Sequence, residues 1–261
     1  MMRCVEIDRV SASQKGFFAR AGARAICLLG MLCGLSVAAH AAEPAKRSAF
    51  LDFNYYPYMS ATENDNFLTI NAGAKLGNGL SYFSLNNFGE VKGTNGLPDK
   101  STFYSEQNLR WAFSKSLPLD LTAQLNFRNG ENNDRHRLGI RWRLNDTKQL
   151  SQFFKSLNLV YALNFHLLQI DHEDPYVWQI EHAFMMKFPA LGDRLYLAGF
   201  IDHTFNQNLP DGFPARPVVA EAQAGFRIAD QFHVVAEYRI NEYRRSDVDN
   251  LAIGLQYKFV W

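Results

Sequence analysis

LAIGLQYKFVW, residues 251–261, separates into two rows. Leu251, Ile253, Leu255, Tyr257, Phe259 and Trp261 fall on one side of a period-2 strand, and Ala252, Gly254, Gln256 and Lys258 on the other. Strict alternation over so many residues requires a strand whose faces meet two unlike solvents. A soluble sheet can bury one such face, but an apolar, aromatic-tipped row with no cap behind it fits a strand that meets lipid.

The same period runs back through the chain. FLDFNYYPY (50–58) sets Leu51, Phe53 and Tyr55 against Asp52, Asn54 and Tyr56. FLTINAGAKL (67–76) sets Leu68, Ile70, Ala72 and Ala74 against Thr69, Asn71, Gly73 and Lys75. Gly77-Asn78-Gly79 is a tight-turn signal, and LSYFSLNN (80–87) follows with faces that the pattern does not assign. Gly89–Lys100 reads as a long loop. TFYSEQNLRWAF (102–113) carries Tyr104, Glu106, Asn108 and Arg110 on its polar side. In 119–128, Thr122, Gln124, Asn126 and Arg128 oppose Leu121, Ala123, Leu125 and Phe127.

The run 135–144 places Arg135, Arg137, Arg141 and Arg143 against His136, Leu138, Ile140 and Trp142. Residues 145–156 form a polar connection with room for one helical turn around Phe153-Phe154. Five further runs end in the terminal strand: 157–168, 176–187, 195–205, 218–228 and 232–241. Twelve runs, with short and longer connections largely alternating, predict a single antiparallel transmembrane β-barrel of about 12 strands. Trp111, Trp142, Trp178 and Trp261 lie near strand ends, where an interfacial girdle belongs.

The amino-terminal part is of another kind. Apolar residues 25–42 follow Arg20 and Arg24 and contain Ala39-His40-Ala41, a small-residue cleavage site. Residues 1–41 therefore read as a signal peptide that is cleaved, and 42–261 as an outer-membrane β-barrel. Cys4, Cys27 and Cys33 all fall in the leader, which leaves the mature chain without a disulfide framework or thiolate metal site. Its net charge, about −2 after the basic leader is lost, excludes a general nucleic-acid binder.

Inward rows of mixed charge make the candidate site: Glu106, Arg110, Arg128, Arg137, Arg141, Glu181, Glu221, Gln223, Glu237 and Arg239. Arginines at every second residue stack about 7 Å apart on one wall and need partners or a ligand. They either form a salt-bridged filling or line a pore whose opposed charges orient a polar solute. A rim hydrolase would need a nucleophile or activated water beside a histidine and a carboxylate. His166, His203 and the loop residues Asp171, His172, Glu173 and Asp174 are the nearest candidates, with no serine in a matching context. No cofactor or metal site is expected.

GLQYKFVW (254–261) resembles the carboxy-terminal signature by which bacterial outer-membrane barrels are recognised for assembly. VAEAQAGFRIADQFHVVAEYRINEYR (219–244), with Glu221, Gln223, Glu237, Tyr238 and Asn241, resembles the late hairpin of the Tsx-type outer-membrane nucleoside channels. LAGFIDHTF (197–205) is similar to a second run of that family. The resemblance covers about a fifth of the mature chain and departs from the family in the arginine-dense 135–143 strand. It implies a monomeric barrel in the bacterial cell outer membrane that passes small polar solutes, nucleosides first. Outer-membrane lipids and, through the last strand, the barrel-assembly machinery would be its other partners. A porin for acidic oligosaccharides or other anions, a rim hydrolase and a non-conducting structural barrel stay open as alternatives.

Overall fold

The computed structural model describes residues 48–59, 66–92, 98–129, 134–170 and 176–261. The expected signal peptide and the Asp171–Asp174 cluster lie outside the described residues. Twelve strands follow in order: β1 (Ala49–Tyr55), β2 (Asn66–Gly77), β3 (Leu80–Lys92), β4 (Pro98–Trp111), β5 (Leu119–Arg128), β6 (Arg135–Arg143), β7 (Leu159–Ile170), β8 (Trp178–Lys187), β9 (Leu195–Phe205), β10 (Val218–Ala229), β11 (Phe232–Asn241) and β12 (Asp249–Val260). Each pairs antiparallel with the next, and β1 closes on β12 from Phe50↔Val260 to Tyr55↔Leu255. Closure leaves no strand edge, which a sheet in hydrocarbon requires because lipid offers no hydrogen bonds to exposed backbone groups.

Burial is inverted relative to a soluble protein. Among the described residues the buried set is mostly polar, including Asn54, Gln124, Asn126, Asn164, His166 and Gln179, while Leu251, Ile253, Leu255, Tyr257 and Phe259 are exposed. The polar row of each strand faces an interior and the apolar row faces out. This is the arrangement of a barrel in the outer membrane.

The rim bearing the start of β1 and the end of β12 also carries the connections 78–79, 112–118, 144–158, 188–194 and 230–231. Asn78 and Gly79 both have positive φ (50° and 78°), the conformation of a two-residue hairpin turn. The opposite rim carries the other six strand connections, of which 206–217 and 242–248 are described in full. The two-residue turns at 78–79 and 230–231 mark the first rim as periplasmic, and the long 206–217 loop marks the other as the outside. Trp111, Trp142 and Trp261 fall at the periplasmic rim and Trp178 at the outer one, as a girdle requires.

The 144–158 connection is long for a periplasmic turn because it is folded. A 3-10 turn (Leu144–Asp146) precedes helix α1 (Ser151–Ser156), at the expected position. Phe154 stacks on Tyr161 with centroids 5.8 Å apart, and Trp142 Nε1 donates to Thr147 Oγ1 at 2.8 Å.

Two expectations need correction. The loop expected over Gly89–Lys100 is mostly strand, because the β3–β4 ladder continues past Gly89↔Thr102 to Lys92↔Pro98. Gly and Pro read as loop signals, yet Pro98 opens β4, a position where the missing N–H costs little. In β3 the unassigned faces resolve against simple polarity: Phe83, Leu85 and Asn87 line the interior, and Ser84 and Asn86 face out. Asn86 Oδ1 accepts from Ser105 Oγ at 2.8 Å and from Gln107 Nε2 at 3.3 Å. This internal pairing is what permits amides on a lipid-facing wall.

Candidate functional site: the charged lumen

Alternation delivers the site. On each strand every second residue turns inward, so distant segments contribute to a lumen cavity of about 1210 Å³. Glu106 and Arg110 of β4, Arg128 of β5, Arg137 of β6, Glu181 of β8, Glu221 and Gln223 of β10, and Glu237 and Arg239 of β11 all line it. Arg141 lies on the same face of β6, nearer the periplasmic rim, and does not border this cavity. Its NH1 is 3.8 Å from Asp120 Oδ2, and its register partner is Asn164.

The β4–β7 wall is tied by a chain of hydrogen bonds. The Tyr104 hydroxyl donates to Glu106 Oε2 (2.8 Å) and Asn108 Nδ2 donates to Glu106 Oε1 (2.8 Å). Gln124 Nε2 donates to Asn108 Oδ1 at 3.2 Å. Arg137 closes the chain by donating from NH1 to Gln124 Oε1 (2.8 Å) and from Nε to Gln169 Oε1 (2.9 Å). The Arg128 guanidinium sits 5.1 Å from the Tyr104 ring centroid, within cation–π range. Arg143, the end of the arginine row, instead braces the periplasmic rim through Asp120, Asp146 and the Leu117 carbonyl.

A second group lies on β9–β12 and the segment that follows β1. The Tyr196 hydroxyl meets Gln223 Oε1 at 2.6 Å and Gln256 Oε1 at 2.8 Å. Gln223 Nε2 donates to Glu237 Oε2 at 3.1 Å, and the Tyr58 hydroxyl donates to Glu237 Oε1. Arg239 lies 4.6 Å from the Tyr58 ring centroid. The Tyr196 ring occupies the space that a Cβ on its register partner Gly225 would need, so the glycine lets the ring lie flat against the wall.

Between these groups stand the carboxylates of β8 and β9. Glu181 pairs in register with Asp202, and His166 Nε2 lies 3.1 Å from Glu181 Oε2. Asp202 also lies within electrostatic reach of Glu106 and Arg137 from the facing wall. Several atoms here make no hydrogen bond within the protein: Arg128 Nε, Asn126 Oδ1, Gln179 Nε2 and Asp202 Oδ1. All four residues border the cavity, but the atoms themselves are buried within the wall.

The sequence reading missed Asp202 as a lumen group. Its strand places it in a row with Tyr196, Ala198, Phe200 and Thr204, which is too apolar to mark an inward face. The hydrolase candidates do not converge. His166 is buried and turned inward, whereas His203 is on the outer face, 5.4 Å from His182 ring to ring. Among the described residues no group of three or more His, Cys, Asp or Glu is placed to hold a metal ion.

No family model matches the sequence, and none of the curated proteins matches it. Among solved structures the chain is similar to the KdgM porin, at 11% identity and a TM-score of 0.45, over 81% of this chain and 99% of that one. The same values hold for that porin in complex with disordered oligogalacturonate. It is also similar to an outer membrane channel from Pseudomonas putida F1, at 12% identity and a TM-score of 0.43, over 87% and 100% of the two chains. The outer membrane protein opdK from Pseudomonas aeruginosa follows at 10% identity and a TM-score of 0.32, over 82% and 98%. None of these points to the Tsx-type family in particular. What fold and site together establish is the class: a twelve-stranded outer-membrane barrel with a polar, charged interior.

Proposed function

We propose that this barrel is a passive, narrow channel for small polar solutes, working as a monomer and assembled through its terminal strand. The observation that carries the reading is a lumen of about 1210 Å³ lined by charges of both signs. A filled, structural barrel would have no need of a cavity, and opposed charged walls act on whatever crosses between them. Arg110, Arg128 and Arg137 share their wall with Glu106, and Glu181, Asp202, Glu221 and Glu237 share theirs with Arg227 and Arg239. No step of chemistry and no cofactor is needed. The test is step conductance of the purified protein in planar bilayers, together with uptake of uncharged sugars of graded size into vesicles. Size-limited uptake supports the channel, and exclusion of the smallest sugars counts against it.

A second reading, a porin for acidic oligosaccharides, is favoured by the arginine row itself, since Arg128, Arg135 and Arg137 all border the cavity. It calls for a reversal potential strongly toward anions in a salt gradient. Nucleosides, which the late-strand resemblance implies, would reveal themselves as blockers of the current.

A further inference from the structure

We infer that Tyr243, carried on the loop between β11 and β12, sets the size limit of this channel at its outer mouth. The inference rests on the channel reading above and names the side chain that decides which solutes enter.

Among the described residues that border the cavity, Tyr56, Tyr243 and Arg244 lie beyond the outer strand ends. Tyr56 is 3% exposed and packed into the wall, its hydroxyl donating to Thr69 Oγ1 at 2.9 Å. Tyr243 reaches the other way. Its hydroxyl donates to Gln207 Oε1 at 2.6 Å and also meets the Thr204 side chain, so it crosses the ends of two strands to reach the β9 side. The same hydroxyl lies within electrostatic reach of Arg135 and Arg137 on β6. In the ring of twelve, β6 is five places from β11, close to diametrically opposite. A side chain that bonds to one wall and stands near the facing one projects over the lumen and narrows it.

The loop holds the ring there. Glu242 N–H donates to the Val218 carbonyl at 3.0 Å, and Glu242 Oε2 accepts from Val218 N–H at 2.7 Å. Asn241 Oδ1 accepts from Tyr243 N–H at 3.1 Å, and the Asn241 carbonyl accepts from Arg244 N–H at 3.2 Å. The Arg245 guanidinium, 5.3 Å from the Phe213 ring centroid, ties this loop to 206–217. Bonds on both sides of Tyr243 make it a fixed post, with its position set by its neighbours.

Passage through a narrow pore follows its diameter and the groups that line it. A phenol ring standing in the mouth removes about the cross-section of one sugar ring, so its loss should admit longer uncharged sugars.

The experiment is uptake of glucose and raffinose into vesicles holding the refolded protein. Tyr243→Ala is expected to raise the ratio of raffinose to glucose uptake severalfold. Tyr243→Cys should do the same, and because Cys4, Cys27 and Cys33 all precede the first strand, the new thiol is the barrel's own. Reaction with benzyl methanethiosulfonate puts an aromatic ring back at that position and should return the ratio toward the parent's. Should the smaller side chains prevent folding, Tyr243→Trp gives the converse, glucose uptake slower than in the parent. A ratio unchanged in the small variants, a raised ratio that the benzyl adduct does not lower, or a Trp variant as fast as the parent overturns the inference while the channel stands. A folded parent barrel that passes neither sugar overturns the channel reading as well.

Discussion

Tyr196 of β9 and Gln256 of β12 are joined directly, hydroxyl to Oε1 at 2.8 Å, although β10 and β11 lie between their strands. The contact is a chord across the inside of the wall, so it takes lumen cross-section that a water path would otherwise use. Tyr196→Phe keeps the ring over Gly225 and removes only the bridging hydroxyl. Single-channel conductance should rise, and urea unfolding should show a loss of about 1 kcal/mol, the net worth of a hydrogen bond. An unchanged conductance would place the ion path elsewhere in the cavity.

Phe50 and Gly73 are register partners beside the β1–β12 seam, and the Phe50 ring fills the place of a glycine Cβ. Gly73→Val forces that ring into the lumen or bends the strand. Overpacking of this kind costs about 1–3 kcal/mol. The folded band on unheated gels should convert to the unfolded one at a lower temperature than in the parent protein.

Arg137, 5% exposed, is the keystone of the β4–β7 wall because two glutamines depend on it. Arg137→Ala leaves Gln124 and Gln169 each without that donor in a buried wall. Stability should fall by about 2–3 kcal/mol, in the range for hydrogen bonds to a charged group. The reversal potential in a salt gradient should move toward cations, since one positive lining charge is lost.

Fold and lumen were legible in the sequence to different degrees, for a physical reason. Period 2 is unmistakable where one face is uniformly apolar, as in Leu251–Phe259, or uniformly charged, as in Arg135–Arg143. It fails where side chains satisfy one another across strands. Asn86 is pointed outward yet paired to Ser105 and Gln107, and no single-strand pattern reports such a cross-strand cluster. Asp202 escaped notice because its row is otherwise small or aromatic. The helical turn around Phe153-Phe154 was legible, but the Gly- and Pro-marked stretch after Gly89 proved to be a continued ladder. Which arginines would border the cavity was not legible: Arg143 is occupied at the rim and Arg141 stands beside Asp120, outside the lining.

Ile253 stands in the middle of β12 and is 51% exposed, on the row that faces lipid. Ile253→Arg should make insertion less favourable by about 2–4 kcal/mol, as expected for a cation near the bilayer midplane. Insertion into vesicles followed by protease protection measures it. A soluble sandwich would bury this row against a second sheet and would respond by aggregating, not by failing to insert.

The most direct measurement is the current through single molecules of the refolded protein in a planar bilayer. A water-filled lumen of mixed charge inside an apolar outer wall predicts discrete, ohmic steps with weak discrimination between potassium and chloride. Protein that runs as a folded barrel on gels yet gives no steps, or that stays in solution without detergent, would contradict it.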